Sequence, residues 1–177
     1  MNPIPGVRAV DHVGFSVPDL DQAVDFFTVV LGAVEVLRHP PFPPSGDVAV
    51  RQFARHPDSS VEGIVMLRLG LVNIELIQYS SPDQNTHFPS TSDFGGHHLA
   101  LYVDDLAASV DHLRSVGVEV LGEPMNLRGP EAGDGAQFIY FRAPWGLFCE
   151  LVSYPTGKAY ETTSQYLLFD PRSYDGA

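Results

Sequence analysis

The sequence predicts an α+β fold built from two copies of one strand–helix–three-strand module. Two segments of the first half return in the second, one 86 residues later and one 75 residues later. Each copy also opens with a short Val/Leu-rich run, passes into apolar residues at helical spacing, and returns to strand-like runs. A strand–helix unit of this size cannot bury its sheet alone, so the two copies are expected to share a core or sheet.

The first repeated segment is Asp11-His12-Val13-Gly14-Phe15-Ser16-Val17-Pro18-Asp19-Leu20, matched by His97-His98-Leu99-Ala100-Leu101-Tyr102-Val103-Asp104-Asp105-Leu106. It aligns His12 with His98, Asp19 with Asp105 and Leu20 with Leu106. Val10 to Val17 and His98 to Val103 are expected as strands. Asp19 and Asp105 stand where a helix N-cap belongs. Leu20, Val24, Phe27 and Leu31 then recur at spacings of three and four, as do Leu106, Val110 and Leu113. Gly32 and Gly117 are natural helix stops. Strands are expected next at Val34 to Leu37, Ile64 to Leu69 and Val72 to Tyr79, and at Val118 to Leu121, Gln137 to Phe141 and Leu147 to Tyr154. The second repeated segment lies on the last of these, where Glu75-Leu76-Ile77-Gln78-Tyr79 matches Glu150-Leu151-Val152-Ser153-Tyr154.

The regions outside the repeat read differently. His39 to Ser60 holds Pro40, Pro41, Pro43, Pro44 and Pro57 and is expected as a long loop with strand edges. The expected organisation is a single domain over 1–177, with modules at 8–80 and 97–155, a polar linker at 81–96 and an aromatic tail at 156–177. Such a tail packs on its own domain or on a second subunit.

Composition narrows the function. Of 177 residues, 44% are hydrophobic, enough for a sizeable core. With 22 acidic and 10 basic residues the net charge is −12, which disfavours nucleic acid and anionic membranes. No apolar run approaches the ~20 residues that span a bilayer. The first residues lack the basic and apolar regions of a secretory signal, so a cytoplasmic protein is expected. Cys149 is the one cysteine and can form neither an internal disulfide nor a multi-cysteine zinc site. With Trp145 it reads as core. Gly129 and Gly133 lack the strand–loop–helix setting of a phosphate loop.

His12 and His98 open the two copies, and Glu75 and Glu150 lie on the last strands. Strand alternation sets His12 on a face with Gly14 and Ser16, Glu75 with Asn73, Ile77 and Tyr79, and Glu150 with Phe148 and Val152. A single His or Glu so placed is more often structural than a ligand. The duplication changes the balance, because both residue types recur at matched positions. Two imidazoles and two carboxylates suit one divalent ion such as Zn, Ni, Co, Mn or Fe. A carboxylate among apolar neighbours also needs a partner, and a metal supplies one.

Together with Phe141-Arg142-Ala143-Pro144-Trp145-Gly146-Leu147-Phe148-Cys149-Glu150-Leu151, the segments at 11–20 and 97–106 resemble the vicinal oxygen chelate superfamily over about residues 8–155. That superfamily includes glyoxalase I, methylmalonyl-CoA epimerase, extradiol dioxygenases, and fosfomycin and bleomycin resistance proteins. The resemblance implies paired βαβββ modules in a cupped mixed sheet, and His12, Glu75, His98 and Glu150 fall on its metal-ligand positions. It further implies an isomerase or epimerase that removes a proton α to a carbonyl through a metal-stabilised enolate, on a sugar-like, cyclitol-like or acyl substrate. Glu75 and Glu150 are the expected bases. Three alternatives stay open: a glyoxalase I-type lyase, an extradiol dioxygenase and a bleomycin-resistance-type binding protein. Extradiol dioxygenases use two His and one Glu, so Glu75 counts against that reading. Lys158 is the only lysine, which leaves a CoA phosphate without a basic cluster. Tyr140, Arg142, Arg128 and His97 are secondary substrate-site residues; for each an ordinary structural role competes. A homodimer acting on a small carbonyl compound is expected.

Overall fold

The computed structural model describes residues 4–174. The chain divides into two compact units, Met1–Thr86 and His87–Ala177.

In the first unit, β1 (Val13–Val17) leads into α1 (Leu20–Asp25), followed by β2 (Val34–His39), α2 (Asp47–Phe53), β3 (Ser60–Leu69) and β4 (Val72–Ser80). The sheet order is β1-β4-β3-β2, with β1 parallel to β4 and the other pairs antiparallel. The second unit repeats this plan with β5 (His98–Tyr102), α3 (Leu106–Ser115), β6 (Glu119–Asn126), β7 (Gln137–Arg142) and β8 (Phe148–Ser153), in the order β5-β8-β7-β6. Each unit is therefore a βαβββ module with a four-stranded mixed sheet, as the α+β expectation requires.

The capping residues act as expected. Asp19 accepts from the Gln22 amide and Asp105 from the Ala108 amide, both at 2.9 Å. Gly32 (φ 76°) and Gly117 (φ 78°) turn the chain out of the helices in the left-handed region, where a side chain would be strained. Helix and sheet bury one face of each module. In the first, Phe15, Val17, Leu67, Ile74 and Leu76 pack with Leu20, Val24 and Phe27; in the second, Ile139, Phe141, Cys149 and Leu151 pack with Leu106, Val110 and Leu113. The opposite face is left for the site.

Some local expectations are corrected. β1 begins at Val13 rather than Val10, so His12 precedes the strand. The first helix does not run evenly to Leu31: Phe26–Val30 is a π turn, with the Leu31 amide donating to the Phe26 carbonyl at 3.2 Å. The wider turn accompanies burial of the adjacent Phe26 and Phe27. The proline-rich segment is not all loop, since α2 forms in its proline-free middle. The segment closes through the Gly46 amide on the Pro57 carbonyl at 3.1 Å. Trp145 is only half-buried in the β7–β8 turn, whereas Cys149 is fully buried.

The tail after β8 meets its own module through Lys158, 2.6 Å from Glu131, and is braced within itself by Arg172, which meets Asp170 at 2.8 Å and Glu161 at 3.1 Å. Arg172 also donates to the Tyr154 carbonyl and lies over the Tyr154 ring. Among the described residues, no helix is long and apolar enough to cross a membrane.

Candidate metal centre

Each module brings one predicted histidine and one predicted glutamate together. His98 pairs through Nε2 with Glu150 Oε2 at 3.1 Å, and His12 with Glu75 at 3.6 Å. The cause is register. Gly14 lies beside Glu75 on the parallel β1–β4 pair, and Ala100 lies beside Glu150 on β5–β8. A histidine two residues before that position shares its face. The small residue between leaves the carboxylate room: a Cβ on Gly14 would stand 3.3 Å from Glu75 Oε2.

The surroundings of the two pairs differ. His12 is oriented by Asp11, whose carboxylate lies 2.7 Å from Nδ1, leaving Nε2 to face Glu75. That hydrogen bond is the main reason the His12 pKa is raised above its ordinary 6.5. The Asn73 amide donates to the Asp11 carbonyl at 2.9 Å and fixes the residue before the histidine. In the second module the neighbour is Tyr140, directly across β7–β8 from Glu150. Its ring meets the His98 imidazole edge-on at 5.4 Å. Burial first, and then the Glu150 carboxylate that it hydrogen-bonds, push the Tyr140 phenol up. Met66 takes the matching place beside Glu75.

The other secondary residues separate. Arg142 lies over the Phe148 ring at 4.9 Å and reaches Glu119 at 3.4 Å. Phe148 is the cross-strand neighbour of both Arg142 and His98, so Arg142 belongs to the same face of the sheet. Arg128 is exposed beside the short turn Gly129–Glu131. His97 binds the Gly95 carbonyl through Nδ1 at 2.9 Å and packs on Phe88. It precedes His98 by one residue and so lies on the other side of the strand alternation. Cys149 is sealed in the core, and burial pushes its thiol up to about 12, so it supplies no thiolate at neutral pH. Sequence reasoning missed Asp11 and Asn73 as positioning residues; the Asp11-His12 pair was the available signal.

The donor set fits a divalent ion. Two donors each at about 2.0–2.2 Å from one ion stand about 3.0–3.5 Å apart, close to the two His–Glu separations. Each carboxylate is mostly shielded, with side-chain exposure of 23% for Glu75 and 13% for Glu150, and its ion-pair partner is the histidine of its own module. Among the described residues, no three His, Cys, Asp or Glu side chains form a group that could hold a metal ion. The structure shows two matched His–Glu pairs, one in each module.

Residues 11–141 match the model of the Glyoxalase/Bleomycin resistance protein/Dioxygenase superfamily, and the chain belongs to that superfamily. It is 44% identical over 171 residues to a 2-epi-5-epi-valiolone epimerase from Actinomyces sp, covering 95% of this chain and 91% of that protein. It is 28% identical over 124 residues to the mitochondrial methylmalonyl-CoA epimerase of Mus musculus, covering 69% and 61%. A glyoxalase family protein from Bacillus cereus shares the fold, with a TM-score of 0.64 at 22% identity over 85% of this chain and 98% of that one. The expectation of an isomerase or epimerase of this superfamily holds.

Proposed function

We propose that this chain is a divalent-metal-dependent epimerase of a small polyhydroxylated ketone, with His12, Glu75, His98 and Glu150 as its metal-ligating residues. The observation that carries the reading is the recurrence of the His–Glu pair at equivalent register positions in both modules. The substrate class is supported by the relative at 44% identity, whose name gives a valiolone, a ketone, as its substrate. It is also supported by the single lysine of the chain, which suits an uncharged substrate better than a CoA ester.

A divalent ion held there supplies Lewis acidity, lowering the cost of the negative charge that grows on the substrate oxygen. The protein residues handle the proton. One carboxylate takes it from the carbon α to the carbonyl, breaking the C–H bond and leaving the electron pair on the substrate. The other carboxylate, carrying a proton gained from solvent, gives it to the opposite face, which forms the new C–H bond and inverts the centre. Glu75 has the open side left by Gly14, and Glu150 is restrained by Tyr140. Asp11 holds His12 with Nε2 toward the site. Homodimerisation belongs to the same reading, supported by the exposed run Tyr166-Leu167-Leu168-Phe169.

The test is incubation of metal-loaded protein with 2-epi-5-epi-valiolone in D₂O. The expected product is the epimer carrying one deuterium at the inverted carbon, with metal content near one ion per chain. His98→Ala and Glu150→Gln should lose both ion and activity. Full activity after exhaustive metal removal, or inversion without solvent deuterium, would overturn the mechanism.

A further inference from the structure

On the two strands beyond the His98–Glu150 pair, the second sheet carries an arginine and a glutamate that the proton chemistry does not use. Arg142 on β7 has Phe148 as its neighbour on β8 and Glu119 as its neighbour on β6. Phe148 is in turn the neighbour of His98 on β5. His98, Phe148, Arg142 and Glu119 thus form one row across the strands of the second sheet. Phe148 and Glu150 are two residues apart on β8, so the row lies on the face that carries Glu150. Antiparallel pairing makes Arg142 the diagonal neighbour of Glu150, about 7–8 Å away and within reach of long side chains.

The row is open to solvent. Side-chain exposure is 41% at His98, 40% at Arg142 and 60% at Glu119. The Arg142 guanidinium is nevertheless seated, with Cζ over the Phe148 ring at 4.9 Å. A guanidinium stacked by its face keeps the N–H groups in its plane available to donate. Arg142 meets Glu119 through Nη1 alone, at 3.4 and 3.5 Å, which is long for a charged contact. An ion pair so exposed adds little to stability. The first module keeps only part of this arrangement. Arg68 stands at the register place of Arg142, but Asn73 takes the place of Phe148 and Val34 the place of Glu119.

We propose that Arg142 and Glu119 are a diol-reading pair that sets substrate specificity. Arg142 donates through Nε–H or Nη2–H to a hydroxyl oxygen of the polyhydroxylated ketone, and Glu119 accepts from that hydroxyl or from the next one on the ring. The assignment rests on the epimerase reading above. A hydroxyl is donor and acceptor at once, so a guanidinium beside a carboxylate matches a vicinal diol on both counts. An anionic substituent would meet the Glu119 and Glu150 charges as well as Arg142, so neutral oxygens suit the row better. A six-membered ring bridges the diagonal step, with the carbon α to the carbonyl at Glu150 and the far hydroxyls at the pair.

The test compares metal-loaded wild type with Arg142→Met and Glu119→Ala, by turnover and by calorimetric binding of 2-epi-5-epi-valiolone. Each variant should raise KM and the dissociation constant about tenfold or more. The fall in kcat should be no more than about threefold, since these contacts lie away from the reacting carbon. Metal content should be unchanged, and Tm should stay within about 4 °C, the reach of an exposed ion pair. Unchanged KM and binding in either variant would overturn the proposal, as would a fall in Tm or metal content that accounts for the whole loss. A phosphate monoester of the ketone that wild type binds more tightly than the ketone itself would also overturn it, by making Arg142 an anion site. Wild type that binds the ketone without inverting it would defeat the epimerase reading alone, leaving the pair to be judged by binding. Wild type that does not bind it would defeat both.

Discussion

In the proposed centre a histidine needs one ring nitrogen neutral and aimed, and Asp11 sets the aim for His12. By taking Nδ1 it fixes the ring and leaves Nε2 toward Glu75. The same contact has an opposing effect. Because it raises the His12 pKa above 6.5, a proton competes for the ring at higher pH than at an ordinary histidine. Metal affinity should therefore fall as pH drops through that raised value. In metal-free protein the sign reverses: the charged His12–Asp11 contact is present at low pH and is lost as pH rises through the same value. Asp11→Asn should weaken metal binding by about 10–100-fold and move the pH midpoint of binding downward, as titration calorimetry at several pH values would show. An unchanged midpoint would mean that Asp11 does not set the ring.

At the scale of elements, close approaches decide what a substitution does. Gly133 packs so tightly on the tail that a Cβ would run into the Gly157 carbonyl. Gly133→Ala should push the 127–135 loop from the tail and cost about 1–3 kcal/mol, visible as a lower denaturation midpoint. Ala54 is the reverse case. Its left-handed conformation (φ 50°) strains a side chain but suits glycine. Ala54→Gly should stabilise the protein by about 0.5–1 kcal/mol, seen as a higher Tm. A lower Tm would show that α2 depends on alanine's helix propensity more than on relief at its end. Periodicity foresaw α1 and α3 but not α2, because five prolines dominate the composition around a proline-free helical stretch. It also missed the π turn, where burial of two adjacent phenylalanines goes with a wider helix.

At the scale of the whole molecule, acid should release the tail before it unfolds the modules. Arg172 is the hub: it meets Asp170, Glu161 and the Tyr154 carbonyl. The hydrogen bond from Arg172 holds the Asp170 carboxyl below its ordinary 3.8. A depressed carboxyl stabilises the folded state above its unfolded value and loses that contribution as pH falls through the folded value. The clamp should thus persist at pH 5 and loosen only below about pH 4, seen as tail proteolysis or amide exchange ahead of loss of sheet signal. Simultaneous loss of tail and sheets would show that the tail is part of one cooperative unit.

The duplicated module was legible in the sequence because its causes are local and repeated: aspartates before helices, glycines after them, and alternating apolar residues. The matched placing of His12 with His98 and of Glu75 with Glu150 was legible for the same reason, whereas the meeting of His12 with Glu75 and of His98 with Glu150 came from the parallel strand register. What only the tertiary structure decided lies in contacts between distant segments. Asp11 orienting His12 while Asn73 holds its backbone, Tyr140 leaning on both His98 and Glu150, and Arg55 caught between Phe53 and Tyr79 each depend on strand register or on a turn's direction. Those are set when the sheet closes, and no run of neighbouring residues encodes them.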